Sequence, residues 1–300
     1  MESPIFPTLA GVGLHNGRPA RLKLGLRESA GGSGEPLFRF PGMGPLSPRE
    51  LGELPREALR ATRLGAGDSA IGTPEHLLAA LLFFSRLPLE VECDAPELPG
   101  LDGSALPYRE ALARLAPGAA ADPAWREYRT DLAWEYHWSY GHVRVRPAER
   151  FRVRWELDRA PLRQSFLLED AATAFREILP ARTFAFHGEW RDARARGLMA
   201  GAGEDSGLLL AGSEAEYREV LGMHPGWPGG PYPLLNRPAW RMEVEPVKHK
   251  ILDLLGDLAL ADLSLPAADI DIRNGGHRVN HLLVSKLLAA GARTAFSRRY

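Results

Sequence analysis

Lys248-His249-Lys250-Ile251-Leu252-Asp253-Leu254-Leu255-Gly256-Asp257 sets His249, Asp253 and Asp257 at four-residue steps, so one helix face carries an imidazole and two carboxylates. Ile251, Leu252, Leu254, Leu255 and Leu258 fill the rest of that helix. A carboxylate in such surroundings needs a partner or a metal. The spacing predicts a helix from His249 to Leu260. Taken alone, a His-x-x-x-Asp match reads as a solvated polar stripe rather than a site, because short matches are common by chance.

A second element lies far upstream, in Thr73-Pro74-Glu75-His76-Leu77-Leu78-Ala79-Ala80-Leu81. Thr73 reads as a cap, Pro74 fits the first turn, and Leu77, Leu78, Leu81 and Leu82 form an apolar face, which predicts a helix from Pro74 to Ser85. Glu75-His76 places a carboxylate beside an imidazole in its first turn. By itself this pair also fits a first-turn acid answering the helix dipole beside a half-buried histidine. Together the two helices offer two imidazoles and one carboxylate, and three protein ligands with an open position are the pattern of catalytic rather than structural zinc. A third element, Gly275-Gly276-His277-Arg278-Val279-Asn280-His281, delivers a histidine to the start of a helix, with glycines that let the backbone approach a ligand. A loop histidine is often only a surface residue, so a catalytic role for it requires the three elements to converge.

Around these elements the chain alternates strands and helices. Leu9 to Leu14 and the positions Leu22, Leu24 and Leu26 read as strands joined by turns, Leu89 to Cys93 as a short strand, and Tyr108 to Leu115 as a helix. From Pro117 to Trp125 the composition shifts to Ala, Pro, Gly and Asp, which marks a domain boundary. Beyond it, Val143 to Val145, Phe151 to Leu157 and Asp269 to Arg273 read as strands, Ala171 to Ile178 and Val279 to Ala290 as helices, and Thr183 to Phe186 as a strand end. The expected fold is α+β in two halves of similar order. Residues 1–120 carry Glu75 and His76, and residues 121–300 carry Thr183, His249, Asp253 and His277. Glu214 to Pro233, rich in Gly and Pro, reads as a surface insertion.

Lys plus Arg number 37 against 38 Asp plus Glu, so the balance supplies no field for a nucleic-acid partner. Cys93 is the single cysteine, which excludes an internal disulfide and any multi-cysteine zinc or iron–sulfur site. A metal is left with His and carboxylate. Met1-Glu2-Ser3-Pro4-Ile5-Phe6-Pro7 lacks the basic-then-apolar layout of a signal peptide, and no apolar run reaches the length of a membrane span. A cytoplasmic protein without stable membrane insertion is expected.

Further segments recur in a fixed order. The first half holds Gly11-Val12-Gly13-Leu14-His15-Asn16-Gly17, the Thr73 to Leu81 run, and Asp94-Ala95-Pro96-Glu97-Leu98-Pro99-Gly100-Leu101-Asp102-Gly103-Ser104-Ala105. The second holds Pro180-Ala181-Arg182-Thr183-Phe184-Ala185-Phe186, the Glu245 to Leu258 run, and the Gly276-His277 turn. In this set the chain resembles the zinc-dependent UDP-3-O-acyl-N-acetylglucosamine deacetylases of lipid A synthesis, over nearly its whole length. The resemblance implies that His76, His249 and Asp253 bind Zn²⁺, with Fe²⁺ also acceptable to such ligands. It implies Glu75 as general base and His277 as general acid and oxyanion-side partner, with Asp257 orienting the His277 ring. Thr183 would place its hydroxyl at the oxyanion, Phe184 and Phe186 would line the sugar site, and Lys250 would meet the nucleotide diphosphate.

The same resemblance implies two α+β domains, each a sheet with paired helices, the helices packed together and the active site between them. The implied partner is UDP-3-O-acyl-N-acetylglucosamine, deacetylated to UDP-3-O-acyl-glucosamine and acetate; a monomeric protein is expected. A passage for the acyl chain would come from Gly197-Leu198-Met199-Ala200-Gly201 and Leu208-Leu209-Leu210, for which a core strand pair is the other reading. Two segments depart from the family's pattern. Gly201-Ala202-Gly203-Glu204-Asp205-Ser206-Gly207 stands where a Gly-Gly-Ser-Leu-Asp-Asn-like run is usual, and Phe83 to Pro88 lacks the usual glycines. A relative acting on another N-acetylated nucleotide sugar, or a non-catalytic binder of zinc or a nucleotide sugar, are the alternatives. Glu75, Thr183 and His277 weigh against the binder, which needs neither base, oxyanion donor nor acid. His15 and Asp102 sit in glycine turns and read as structural.

Overall fold

The computed structural model describes residues 7–27, 35–58, 60–159, 162–221, 234–236 and 239–290. In the first half, β1 (Thr8–Val12) and β2 (Pro19–Leu26) form an antiparallel pair. Strand β3 (Leu37–Arg39) leads to α1 (Pro48–Glu53), which opens on a reciprocal Ser47–Glu50 capping box. A small sheet of β4 (Arg56–Ala58), β5 (Thr62–Leu64) and β6 (Ile71–Gly72) then leads into α2 (Glu75–Leu81). Strand β7 (Leu89–Cys93) joins the main sheet in the order β1-β2-β7-β3, and α3 (Leu106–Leu115) and α4 (Pro117–Ala121) follow. Alternation decides the faces: Ala20, Leu22 and Leu24 of β2 are buried, while Arg21 and Lys23 point to solvent.

The second half begins with β8 (Glu127–Arg129), β9 (Trp134–Trp138), β10 (Gly141–Pro147), β11 (Arg152–Arg159) and β12 (Leu162–Leu168). A short α5 (Ala171–Thr173) passes into a π-helical turn, Ala174–Ile178. Then come β13 (Phe184–Phe186), α6 (His187–Ala195), β14 (Leu208–Leu210), α7 (Glu214–Leu221), α8 (Glu245–Leu258), β15 (Leu265–Arg273) and α9 (His277–Ala289). The main sheet has the order β12-β11-β15-β10-β9, with β8 also paired to β15. β15 is the strand between neighbours and is buried along most of its length. Parallel β13 and β14 make a separate two-stranded unit.

The architecture is mixed α and β in two halves, as expected from the sequence. The halves meet helix to helix, α2 against α8, and every residue of α2 is buried. Gly256 marks their closest approach: a Cβ there would collide with the backbone carbonyl of Glu75. Helices α8 and α9 pack on each other, and α8 also covers β11 and β12.

Several boundaries differ from expectation. Helix α8 begins four residues early because Pro246 fits its first turn and buried Glu245 is held by Arg182 through Nε at 2.8 Å and Nη2 at 3.1 Å. Helix α2 closes at Leu81 rather than Ser85, where the Phe83 and Phe84 N–H groups switch to three-residue bonds. Thr73 does not cap it. It adopts φ 55° and donates its hydroxyl to Glu97 at 3.0 Å, leaving Pro74 at the cap position. The segment Pro117 to Trp125 contains the short helix α4. Of the expected insertion Glu214 to Pro233, the first part is α7, and residues 222–233 lie outside the described residues. No helix among the described residues is long and apolar enough to cross a membrane.

Candidate active site

The two helices predicted to share a site do face each other. His76, at the start of α2, brings Nε2 to 3.8 Å from Asp253 Oδ1, and His249, one turn before Asp253 on α8, brings its Nε2 to 3.2 Å from the same oxygen. The rings of His76 and His249 meet edge to face, centroids 5.1 Å apart. His249 Nδ1 lies 3.0 Å from the Ala181 carbonyl. A carbonyl only accepts, so Nδ1 carries the proton and Nε2 keeps its lone pair facing the carboxylate. All three residues are buried, and their donor atoms lie within 4.8 Å of one another. Two convergent imidazole nitrogens and a carboxylate oxygen in an apolar interior fit a bound divalent metal ion.

Strain and hydrogen bonds set the start of α2. Glu97, buried, accepts from the His15 and Asn16 N–H groups at 2.8 Å each and from Thr73, so one carboxylate ties the first-half turn to the helix entry. Thr73 in the left-handed region is costly for a β-branched residue, and such strain survives only where neighbours over-determine it.

Glu75 Oε1 accepts from the Thr62 N–H at 3.3 Å, while Oε2 is buried without a hydrogen-bond partner. Burial pushes its carboxyl up to about 8; nearby His277 opposes this and Asp257 and Asp253 reinforce it. An orphaned, proton-hungry oxygen beside a metal site is suited to take a proton from water. His277 faces it, with Nε2 3.8 Å from Glu75 Oε1 and 3.7 Å from Asp253 Oδ2, and Nδ1 3.2 Å from Asp257 Oδ2. Burial alone would lower its pKa, but the Asp253 charge and then the Asp257 hydrogen bond and charge raise it to about 9. Asp253 is held well below the usual carboxylate range: burial opposes this, and the interactions with His249, Lys250 and His277 prevail.

A cavity of about 1070 Å³ opens on these groups. Every site residue expected from the sequence lines it except Asp257, which stands behind His277. Thr183 and Phe184 sit on its wall, and Phe186 lies beneath the Arg159 guanidinium at 5.6 Å. Lys250 is turned to Asp253 Oδ2 at 2.8 Å and lies 5.5 Å from the Phe184 ring centroid, so its ammonium borders both the metal site and the open cavity. A second cavity of about 340 Å³ shares Leu14, Thr183, Phe184, Ala185 and Met199 with the first. Four of its lining residues, Ala185, Trp190, Met199 and Ala202, belong to a small apolar cluster with Ala193 and Leu198. Sequence reading missed Thr62, Asn280 and His281, which surround Asp257. The four-residue step from His277 to His281 was a signal; Thr62 had none.

Residues 6–222 and 230–289 match the family described as LpxC: UDP-3-O-acyl N-acetylglycosamine deacetylase. The chain belongs to this family. The deacetylase of this name from Anaeromyxobacter dehalogenans (strain 2CP-C) is 32% identical over 291 residues, covering 93% of this chain and 84% of that protein. Its namesake from Thermosynechococcus vestitus (strain NIES-2133 / IAM M-273 / BP-1) is 33% identical over 259 residues, covering 84% and 81%. The one from Brucella melitensis biotype 2 (strain ATCC 23457) is 32% identical over 290 residues, covering 94% and 92%. Membership in a deacetylase family makes the chain an enzyme, and the buried imidazole–carboxylate cluster gives that enzyme a place for a metal ion.

Proposed function

We propose that this chain hydrolyses the N-acetyl group of UDP-3-O-acyl-N-acetylglucosamine, giving UDP-3-O-acyl-glucosamine and acetate in lipid A synthesis, with Zn²⁺ held by His76, His249 and Asp253. The carrying observation is the convergence of those three side chains beside Glu75, whose buried Oε2 has no partner. Fe²⁺ suits the same donors. When bound, such an ion lowers the pKa of a water and polarises the amide carbonyl.

The chain's own residues then divide the proton work. Glu75 takes the proton from the attacking water at Oε2. Thr183 offers its hydroxyl to the oxyanion, and His277, protonated, stabilises that charge and gives a proton to the departing amine. Asp257 holds the His277 ring. Phe184 and Phe186 flank the sugar, Lys250 attracts the diphosphate, and the 340 Å³ apolar branch between β13, α6 and β14 takes the acyl chain. Residues 1–120 and 121–300 act as two α+β domains with the site at their contact. The protein works as a cytoplasmic monomer on a nucleotide-activated sugar, with no nucleic-acid partner.

The test is mass-spectrometric detection of acetate released from UDP-3-O-acyl-N-acetylglucosamine by metal-loaded and chelator-stripped protein, with the unacylated UDP-sugar as control. Metal-dependent acetate from the acylated sugar alone is expected. Equal turnover of the control would overturn the acyl-chain assignment, and no acetate from either would overturn the reaction.

A further inference from the structure

Behind His277, Thr62 of β5 occupies the centre of a buried polar cluster, and the proposed roles use neither it nor His281. Its hydroxyl donates to Asp257 Oδ1 and lies 2.8 Å from His281 Nε2 and 3.3 Å from His277 Nδ1. Thr62 is 1% exposed and His281 8%. A hydroxyl has one proton, and here the carboxylate takes it, so Thr62 Oγ1 accepts from His281 and Nε2 of His281 must carry hydrogen. The order of donation runs from His281 to Thr62 to Asp257 Oδ1, while His277 Nδ1 and Asn280 Nδ2, at 2.9 Å, donate to Oδ2. Both oxygens of Asp257 are thereby engaged, which holds its plane. The main chain of Thr62 does something separate: its N–H donates to Glu75 Oε1.

We propose that Thr62 and His281 are positioning residues for the deacetylation, Thr62 spacing the general base from the acid's carboxylate and His281 fixing the direction of the Thr62 hydroxyl. The inference rests on the assignment of Glu75 and His277 as base and acid. One residue of the first half thus touches Glu75 through its backbone and Asp257 through its side chain. Without the hydroxyl, Asp257 keeps its charge but loses the bond that holds Oδ1, and the His277 ring loses a fixed partner. A misplaced proton donor slows the chemical step without altering substrate binding.

Thr62→Val keeps the shape and the backbone N–H and removes only the hydroxyl. The expected result is a fall in kcat of about 10- to 100-fold, the scale for loss of such supporting contacts, with KM and bound metal unchanged. Thr62→Ser should return kcat to within about threefold of the parent, since it restores the hydroxyl. In an Asp257→Asn background the Val change should add less than about threefold, because residues acting through one another do not combine independently. His281→Leu should lower kcat as Thr62→Val does, and it keeps the proposal testable should the Thr62 variant fail to fold. A Thr62→Val kcat within twofold of the parent, a change confined to KM, or multiplicative losses with Asp257→Asn would overturn the proposal. Failure of the underlying assignment is seen separately, as normal turnover in Glu75→Gln.

Discussion

Replacing Glu245 by Gln removes a charge from the most enclosed ion pair described here. Glu245 is fully buried and accepts from the Arg182 backbone N–H at 3.1 Å, from Arg182 Nε at 2.8 Å and Nη2 at 3.1 Å, and from the Arg241 N–H at 2.9 Å. Gln keeps the shape but turns one acceptor into a donor aimed at a guanidinium. Arg182, 3% exposed, then keeps the remaining amide oxygen and the Ala239 carbonyl at 2.7 Å as acceptors but has no charge to balance its own. Breaking one side of a buried ion pair costs about 3–5 kcal/mol, because the other charge is left unpaired. That is a large share of a typical total of about 5–15 kcal/mol. At about 2 °C per kcal/mol, the low end of the range for larger chains, the midpoint should fall by roughly 6–10 °C. Thermal unfolding of metal-free protein followed by circular dichroism measures it. Arg182→Met combined with Glu245→Leu should recover part of the loss, since a packed apolar pair leaves no orphaned charge. Glu245→Gln melting within 2 °C of the parent, or a double variant weaker than the single, would refute the reasoning.

His249→Ala and Asp253→Ala should each bring bound metal well below the parent's stoichiometry, measured by elemental analysis after gel filtration; full retention in both removes them from the metal site. Glu75→Gln should keep the metal and the fold yet lose turnover, because the amide cannot accept a proton. It should also raise the metal-free melting temperature near pH 8. A carboxyl lifted to about 8 from an unfolded value near 4.3 costs stability progressively as pH rises between the two, and Gln escapes that cost. His277 must carry a proton to donate one, so the rate should fall as pH climbs through its pKa. The Asp253 and Asp257 charges hold that pKa at about 9 against burial. Asp257→Asn should therefore move the descending limb of kcat/KM down by about one pH unit, about 1.4 kcal/mol of lost support for the charged ring. His277→Ala should flatten that limb and cut the rate severely; a limb unchanged in both variants assigns the acid elsewhere.

The helices were legible because they carry their own periodicity and punctuation. Apolar Ile251, Leu252, Leu254 and Leu255 around a four-residue polar step predicted the interior of α8, but its true start depends on Arg182, far away in sequence, and no local signal carries that. The same limit explains Thr73. Its residue type argues for a cap, and tertiary demand from Glu97 overrides it by pulling the hydroxyl away. Strand β9 has no aliphatic run to mark it, and its one signal is the alternation of Trp134, Tyr136 and Trp138 with polar residues. The metal cluster could be assembled from motifs on two helices. Thr62 could not, since a lone threonine in a three-residue strand gives nothing to read until the fold brings it to Asp257.

The partners Thr62 and His281 are 219 residues apart, and Thr62 and Asp257 are separated by 195. During synthesis, β5 and α2 leave the ribosome long before α8 and α9 exist. Glu75 and His76 must therefore wait in a half-built protein in which the side of α2 that packs on α8 is uncovered. Such long-range closure is slow, and the exposed apolar helix invites association in the interval. Expression at lower temperature or with added chaperone should raise the recovered soluble fraction of this protein more than its specific activity, because the hazard lies in the chain's order of arrival rather than in its finished form.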